Sequence, residues 1–424
     1  MARKQVLNSA KPLRVQNSRI ESHCRVTTLA AMSSSPLSRR DVLRGSVALA
    51  AYSLASRPLS AFGLEPTAGE ELIPFLDPQP YDAKRPMLRW AHLHSWITDS
   101  AEVYEVSHYP RPKIDPATRT ADWKVEFGGY LRKPTTLTLA DLQKRPTRTV
   151  TALLECGGNG SNPGFSGACG NVRWTGTPLG PLLKELGLMK RSEEIVFYGT
   201  DEKVEKIRDK DFPQHFARSL AVEHALREEV LLAWAMNGEP LGAAHGFPLR
   251  LVVPGWFGIA WVKWLRRVEV LDRRFMGKWM AREYVTIRGE ETAGSGTLWR
   301  ETSVCNLCIK SVTARVVRRP GGALRISGAA WSDGTPVTSV EVRIDDGPWR
   351  RAELEPKPAR GLDTRFTWNF WHLDWADAAP GDHTLVSRAV DADGRIQPPI
   401  EDPSMKNKAT YWEANQQWVR KIRV

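Results

Sequence analysis

A single cysteine, Cys156, ends an apolar run and opens the glycine- and asparagine-rich loop in LLECGGNGSNPGF (153–165). A thiol at the mouth of such a loop can serve as a nucleophile, as half of a disulfide or as a metal ligand. A nucleophile would need a general base, and the spacing nominates none. Cys169, thirteen residues further on, offers a disulfide partner. The residues alone leave these three alternatives open.

Cationic residues gather in a second stretch, MNGEPLGAAHGFPLRLVVPGWFGIAWVKWLRRVEV (236–270). His245, Arg250 and Lys263 lie within nineteen residues of one another, joined by an apolar segment and a Pro-Gly turn. Two cations and the bare amides of a turn suit a phosphate group. The stretch therefore indicates a site for a ligand that is both phosphorylated and flat.

Cys305 and Cys308 form a CxxC pair further along the chain. Ile309 follows the pair, so the CxxCH pattern of covalent c-type haem attachment is excluded. A structural zinc site would require a second pair of ligands. We interpret the two residues as a local disulfide or as two unreactive thiols, with a redox role as a further alternative.

The composition is that of a folded globular protein with charges of both signs. The chain has 424 residues, of which 42% are hydrophobic, so we expect two domains and a leader. The net charge is +12, but residues 1–63 hold ten Lys or Arg and only two Asp or Glu. The remaining charges are interleaved, which excludes a nucleic-acid-binding stripe.

Residues 1–63 are predicted to form a twin-arginine export leader. The stretch LSRRDVLRGSVALAAYSLA (37–55) carries Arg39 and Arg40 ahead of a short apolar run that cannot span a bilayer. Export of this kind usually moves proteins that have folded around a cofactor in the cytoplasm. We therefore expect a periplasmic location and a bound cofactor.

The elements that must position these residues predict an α+β fold. TRTVTALLEC (147–156) reads as a buried strand that delivers Cys156 at its end, and EEIVFYGTD (193–201) as a strand ending at Asp201. Thr138 and Thr177 are predicted N-caps of two short helices. We place an N-terminal arm and the start of the cofactor domain at 64–122 and the catalytic domain at 123–309.

The pattern changes at about residue 310. Apolar and polar residues alternate with period two, and Asp-Gly turns fall at 333–334 and 346–347. This pattern predicts an antiparallel, immunoglobulin-like β-sandwich over residues 310–424.

Four segments, TALLECGGNG, VLLAWAMNGEPL, HGFPLRLVVPG and VKWLRRVEV, in this order and spacing, closely resemble the sulfite oxidase family of molybdenum enzymes. The resemblance extends from about Tyr104 to the C-terminus. It implies a molybdopterin-binding domain followed by a dimerisation domain, and hence a homodimer. It also implies a molybdenum–molybdopterin cofactor.

The resemblance assigns roles position by position. Cys156 matches the cysteine that ligates molybdenum, and Tyr284 matches the active-site tyrosine. The positions that match cofactor-binding residues are Tyr104, His108, Asp201, His245, Arg250 and Lys263.

Three positions depart from the pattern of the family's sulfite enzymes. Val106, Gly160 and Ala260 stand where those enzymes have arginine. A sulfite dianion in a nearly closed pocket needs cationic partners, since burying an unpaired charge is costly. Arg173 and Arg218 are candidate replacements.

The resemblance implies a periplasmic oxidoreductase that oxidises sulfite or a related small sulfur oxyanion by two electrons. Without a CxxCH motif of its own, the chain is expected to pass electrons to an external acceptor such as a c-type cytochrome. One alternative is a molybdenum-dependent reductase of sulfoxides or other oxo donors, which a less cationic pocket would suit. A second alternative is a degenerate exported binding or assembly protein.

Overall fold

The computed structural model describes residues 69–77, 86–93, 95–114, 120–292, 294, 296–357 and 364–424. The predicted export leader at 1–63 lies outside the described residues. Among the residues that are described, no helix is both long enough and apolar enough to cross a membrane.

The described chain is mixed α+β and consists mostly of strands, as predicted. The strands are β1 (Glu71–Ile73), β2 (Lys124–Gly129), β3 (Thr135–Thr138), β4 (Arg148–Glu155), β5 (Cys169–Pro178), β6 (Glu194–Ile207), β7 (Lys210–Ala221), β8 (Leu231–Met236), β9 (Glu239–Pro240), β10 (Arg250–Val252), β11 (Leu265–Leu271), β12 (Val285–Thr292), β13 (Gly296–Ser303), β14 (Lys310–Arg318), β15 (Leu324–Trp331), β16 (Val337–Ile344), β17 (Arg350–Arg351), β18 (Glu353–Leu354), β19 (Asn369–Trp375), β20 (Asp382–Asp391) and β21 (Val419–Arg423). The short α-helices are α1 (Leu139–Gln143), α2 (Leu179–Leu186), α3 (Val222–Ala225), α4 (Lys278–Ala281) and α5 (Pro403–Lys406).

Strands β2 to β11 form two five-stranded sheets. One has the order β10-β8-β5-β4 with β9 paired to β8, and the other has the order β3-β2-β11-β6-β7. Strand β4 is buried from Val150 to Glu155, which explains why its sequence is a continuous apolar run rather than an alternating one. Cys156 is the first residue after β4, as the sequence predicts.

One of the two predicted helix caps is correct. Thr138 accepts a hydrogen bond from the Asp141 amide, and the Asp141 carboxylate accepts one from the Thr138 amide, so the two residues form a capping box. The prediction for Thr177 is wrong, because this residue pairs with Leu232 as part of β5. Strand pairing therefore continues one residue further, and Pro178 takes the cap position of α2.

The predicted end of β6 at Asp201 is also wrong. The strand continues to Ile207 because β7 pairs with it along a long hairpin. Between Tyr198 and Glu202 the pairing register shifts, so Asp201 lies in an irregular part of the strand. Such an irregularity re-aims a side chain that would otherwise follow the alternation of the sheet.

The β-sandwich predicted after residue 310 is confirmed. Its two sheets have the orders β1-β14-β15-β19-β18 and β17-β16-β20-β21. Between them lies a hydrophobic core that includes Val316, Ile326, Val340, Trp371 and Ile422. The boundaries between domains stay predictions, since a second hydrophobic cluster continues across residue 310.

Strands β12 and β13 form a separate two-stranded ribbon ahead of the sandwich. Most of β13 is exposed, and Leu298 and Trp299 are its exposed apolar residues.

Candidate active site

All eight residues to which the family resemblance assigns a role line one cleft, which with the open space at its mouth has a volume of about 620 Å³. The cleft brings together residues from the arm, from β6 and β10, and from the segments that follow β4, β9, β10 and α4. The eight residues are Tyr104, His108, Cys156, Asp201, His245, Arg250, Lys263 and Tyr284.

Cys156 is buried, lines the cleft and is held in place by its backbone. Its amide donates a hydrogen bond to the Ala168 carbonyl at 2.9 Å. Burial is the main cause that raises the pKa of the thiol to about 11, so in the absence of a metal ion it is a poor nucleophile. Cys156 and Cys169 are both free cysteines, so the structure contains no disulfide between them.

The CxxC pair is likewise reduced in the structure. Cys305 and Cys308 are free and half-buried. Burial raises the pKa of both thiols, to about 12 for Cys308. The structure therefore agrees with the interpretation of two unreactive thiols.

Two cations line the cleft, and their hydrogen-bond partners among the described residues are neutral. The Lys263 ammonium donates to the carbonyls of Val106 and Ala244, each at 3.0 Å, and to the Ser107 hydroxyl at 2.8 Å. Arg250 donates to backbone carbonyls and lies over the Trp174 ring. Within the described residues neither side chain forms an ion pair. Buried cations with only neutral partners favour an anionic ligand.

Asp201 and His245 add polar groups to the same region. The Asp201 Oδ1 atom is buried and has no hydrogen-bond partner within the described part of the chain. Burial raises the pKa of Asp201 to about 7. His245 is neutral at physiological pH, because burial, followed by the charge of Arg250, lowers its pKa to about 4. An orphaned oxygen aimed into a cleft is suited to accept a hydrogen bond from a ligand.

Tyr284 and His108 form a hydrogen-bonded pair on another wall of the cleft. The tyrosine hydroxyl and Nε2 of His108 are 2.9 Å apart. Burial raises the pKa of Tyr284 far above its usual value and lowers that of His108 to about 4, so both side chains are neutral. The His108 ring stacks on Trp279 at a centroid distance of 4.5 Å.

Sequence reasoning missed two aromatic residues that support this pair. Trp279 precedes Tyr284 by five residues, and its proximity in sequence was an available signal. Trp412 stacks on Tyr284 with the ring centroids 4.0 Å apart. It lies in the sandwich domain, and no local pattern links it to the cleft.

Comparison with known proteins shows which family has this combination of domains. A family model described as "Oxidoreductase molybdopterin binding domain" matches residues 108–279, and one described as "Mo-co oxidoreductase dimerisation domain" matches residues 300–415. Together the two models cover more than half of the chain in the expected order. The chain belongs to the sulfite oxidase family.

Relatives of this sulfite oxidase family protein include enzymes of animals and plants. Mitochondrial sulfite oxidase of Drosophila melanogaster is 30% identical over 348 residues, which are 76% of this chain and 58% of that protein. The Homo sapiens enzyme is 29% identical over 332 residues, 73% of this chain and 58% of that protein. Nitrate reductase [NADH] 2 of Phaseolus vulgaris is 28% identical over 331 residues, 70% of this chain and 36% of that protein. This chain therefore spans less than two thirds of the length of these relatives.

A solved structure supports the same assignment. The sulfane dehydrogenase SoxCD from Paracoccus pantotrophus has a TM-score of 0.66 and 27% sequence identity, and the match covers 80% of this chain and 86% of that chain.

The cleft of this sulfite oxidase family protein fits the molybdenum–molybdopterin group that the domain binds. Within the described residues, no cluster of three or more His, Cys, Asp or Glu side chains could hold a metal ion by itself. A single thiol, Cys156, is therefore the soft ligand that the cleft offers, and a bound metal would deprotonate it. Arg250 and Lys263 suit the phosphate, and the orphaned oxygen of Asp201 suits an N–H donor of the pterin.

At two of the three positions that depart from the family pattern, the structure shows why an arginine would not fit. Gly160 has a φ of +87°, a conformation that an arginine would adopt only with strain. Ala260 is 1% exposed, so a long charged side chain has no room at this position without rearrangement. Val106 lines the cleft and contributes an apolar surface.

Neither candidate replacement cation lines the cleft. Arg173 lies in β5, outside the cleft lining. Arg218 is 0% exposed, and its guanidinium donates to the carbonyls of Trp279 and Val304. Arg218 thus holds the segments on either side of the ribbon and does not face a substrate.

Proposed function

We propose that this protein is an exported molybdenum-dependent oxidoreductase that oxidises sulfite or another small sulfur oxyanion. The observation that carries the proposal is the convergence of Cys156, Tyr284 and two unpaired cations on one cleft. Among the relatives, the sulfite oxidases and the sulfane dehydrogenase support a sulfur substrate, while the plant relative is a nitrate reductase.

The residues of the chain have distinct tasks in this proposal. Cys156 binds the metal, while Arg250 and Lys263 bind the phosphate and so fix the orientation of the pterin. When bound, the molybdenum–pterin group supplies two-electron redox chemistry with oxygen-atom transfer. Tyr284, protonated and held by His108, can donate a hydrogen bond to an oxygen of the substrate or of water. The buried walls keep bulk water away from these groups.

A reductase of sulfoxides or other oxo donors is the second candidate. It is favoured by the uncharged residues that line the cleft beside Cys156, among them Leu154, Gly157 and Tyr284. A neutral substrate would enter such a site without the cost of burying an unpaired dianion.

The location and partners are part of the proposal. The twin-arginine pattern at Arg39 and Arg40 supports export to the periplasm. The match of residues 300–415 to a dimerisation domain supports a homodimer. Electrons leave one at a time to an external acceptor, for which a c-type cytochrome is suited.

The first experiment measures substrate oxidation and reduction with one metal-loaded preparation. Protein purified from the periplasm, with its molybdenum content determined, is assayed for sulfite-dependent reduction of ferricyanide and for sulfoxide-dependent oxidation of a reduced dye. We expect sulfite-dependent turnover that Cys156→Ser abolishes and that the matched control Cys308→Ser retains. Turnover with sulfoxides alone would establish the reductase instead. Retention of full activity by Cys156→Ser would contradict the proposed site.

A further inference from the structure

A segment of the sandwich domain without regular secondary structure, residues 408–418, runs between α5 and β21. We call it the strap. It is far from the cleft in sequence, yet its side chains and backbone meet both the loop of Cys156 and the tyrosine of the site.

The strap binds the carbonyl groups of the loop that follows Cys156. The Glu413 amide donates to the Gly157 carbonyl at 2.8 Å. Nε2 of Gln416 donates to the Gly160 carbonyl at 2.8 Å. Without the strap these two carbonyls would need water as their hydrogen-bond donor. The strap, which belongs to the sandwich, supplies the donors instead.

The fit between the loop and the strap explains the two glycines after the cysteine. A Cβ atom on Gly158 would lie 3.2 Å from the Tyr411 ring, and one on Gly157 would lie 3.3 Å from the Tyr284 ring. Both separations are tighter than ordinary contacts. The loop can therefore pass between these rings in this conformation because it has no side chains at these positions.

The strap also holds Tyr284 directly. The Trp412 ring stacks on the Tyr284 ring with an interplanar angle of 24°, and its Nε1 atom donates to the Glu283 carbonyl at 3.0 Å. Trp412 does not line the cleft itself. It therefore acts on the site through Tyr284, by fixing both the ring and the backbone that precedes it.

The strap is anchored on its far side. The Glu413 carboxylate pairs with Arg288 of β12 at 2.7 Å, and the Lys408 ammonium donates to the Trp412 and Glu413 carbonyls. These contacts tie the strap to itself and to the ribbon. They give it the rigidity that a positioning element needs.

We propose that the strap is a structural part of the active site and that Trp412 is a positioning residue for Tyr284. The sandwich domain then has a second task besides association: it sets the distance between the metal-binding loop and the tyrosine. This inference rests on the roles of Cys156 and Tyr284 in the proposed function.

Two pairs of variants test the strap. Trp412→Leu removes the stacked ring, and Trp299→Leu on the exposed ribbon is its control. Gln416→Leu removes the bond to the loop, and Gln417→Leu, whose amide binds the Gln397 carbonyl inside the sandwich, is its control. One measurement is the rate at which iodoacetamide alkylates Cys156 in the cofactor-free protein, with the modified peptide identified by mass spectrometry. The other is kcat and KM of the metal-loaded enzyme.

We expect Trp412→Leu and Gln416→Leu to speed alkylation of Cys156 roughly tenfold, because the loop opens more often. In the loaded enzyme Trp412→Leu should lower kcat roughly 10- to 100-fold at unchanged molybdenum content, with little change in KM. Trp412→Phe keeps a stacked ring and should recover most of the rate. Both control variants should match the parent.

The proposal would be overturned if Trp412→Leu had the same alkylation rate and the same kcat as the parent. It would also be overturned if the kcat of Trp412→Phe were as low as that of Trp412→Leu. Activity that survives Cys156→Ser would refute the proposed site instead. The alkylation rate still decides whether the strap holds the loop, because it is measured without the cofactor.

Discussion

Two side chains in the cleft, Lys263 and Asp201, have pKa values close to neutral pH. Burial, assisted by the charge of Arg250, lowers the pKa of Lys263 to about 7, and burial raises that of Asp201 to about 7. Below pH 7 the lysine is charged and the aspartic acid is neutral, so the cleft is at its most cationic. Above pH 7 the lysine loses its positive charge and the aspartic acid becomes negatively charged, and both changes weaken the binding of an anion. The affinity of the empty cleft for anions should therefore fall as the pH rises.

Sulfate is a suitable probe of this effect, because its own charge is constant in this range. We expect the cofactor-free protein to bind sulfate about tenfold more tightly at pH 6 than at pH 8, as the charged fraction of a lysine with a pKa near 7 falls by about this factor. Lys263→Met should weaken binding and flatten the pH dependence. Calorimetric titration at the two pH values measures both effects.

The control for this prediction is Lys203→Met, which removes an exposed lysine of the same strand hairpin as Asp201. It should leave sulfate binding unchanged. An affinity that is independent of pH in the parent protein, or equal in Lys263→Met and the parent, would contradict the assignment of Lys263 to the anion site.

A buried ion pair joins two elements, the end of β4 and the start of β14. Lys310 Nζ lies 2.5 Å from Glu155 Oε1, and Glu155 is 0% exposed. The carboxylate also accepts hydrogen bonds from Trp331 Nε1 at 2.8 Å and from Asn159 Nδ2 at 2.9 Å. Lys310 donates in turn to the Asn159 carbonyl at 3.1 Å. A charge network directly behind the Cys156 loop therefore links the cofactor-binding sheets to the sandwich.

Breaking one half of this pair should cost more stability than removing both halves. Lys310→Met leaves Glu155 as an uncompensated buried charge, and we expect a loss of about 3–5 kcal/mol in the free energy of unfolding. The double variant Glu155→Gln with Lys310→Met should recover a large part of this loss. Urea unfolding of the parent, both single variants and the double variant gives the coupling energy.

The exposed pair of Glu290 and Arg300 on the ribbon provides the matched control, with N and O atoms 2.7 Å apart. Because both side chains are solvated, the same cycle there should give a coupling of about 0–1 kcal/mol. Equal coupling energies at the two sites would show that burial does not strengthen the Lys310 pair.

At the scale of the whole molecule, one hydrophobic cluster extends from Met87 in the arm to Phe370 in the sandwich. Two buried tryptophans connect these parts directly. Trp96 Nε1 donates to the Trp368 carbonyl at 3.3 Å, and Trp368 Nε1 donates to the Trp96 carbonyl at 2.9 Å. The Leu153 amide of β4 donates to the Phe366 carbonyl at 2.8 Å. The cofactor-binding sheets and the sandwich should therefore lose structure together.

We expect a single cooperative unfolding transition that involves both parts. Trp368→Ala should lower the free energy of unfolding by about 3–5 kcal/mol, since it leaves a large cavity in the shared cluster. Hydrogen exchange followed against denaturant gives the free energy of opening of the amides in β4 and in β16. The variant should lower this free energy by the same amount in both strands. A shift confined to one strand would show that the two parts unfold independently. Trp299→Ala, on the exposed ribbon, should shift neither strand.

The sequence by itself determined the local features of this protein. The apolar run before Cys156 predicts β4 and the position of the thiol at its end, and the period-two pattern after residue 310 predicts the sandwich. The spacing of His245, Arg250 and Lys263 predicts an anion site. These features follow from periodicity, turn residues and charge within a few tens of residues, which is the range over which a sequence pattern carries structural information. The ordered motifs added the family, and with it the eight residues that share the cleft.

Only the tertiary structure decided how these pieces complete a site. The irregularity at Asp201 depends on how β7 pairs with β6, and the positions of Tyr284 and the Cys156 loop depend on Trp412 and Glu413 of the strap. The burial that moves the pKa values of Lys263 and Asp201 is likewise a property of the assembled cleft. Contacts between residues more than a hundred positions apart leave no periodic trace in the chain. They exist because two sheets and a sandwich must bury their apolar faces against each other.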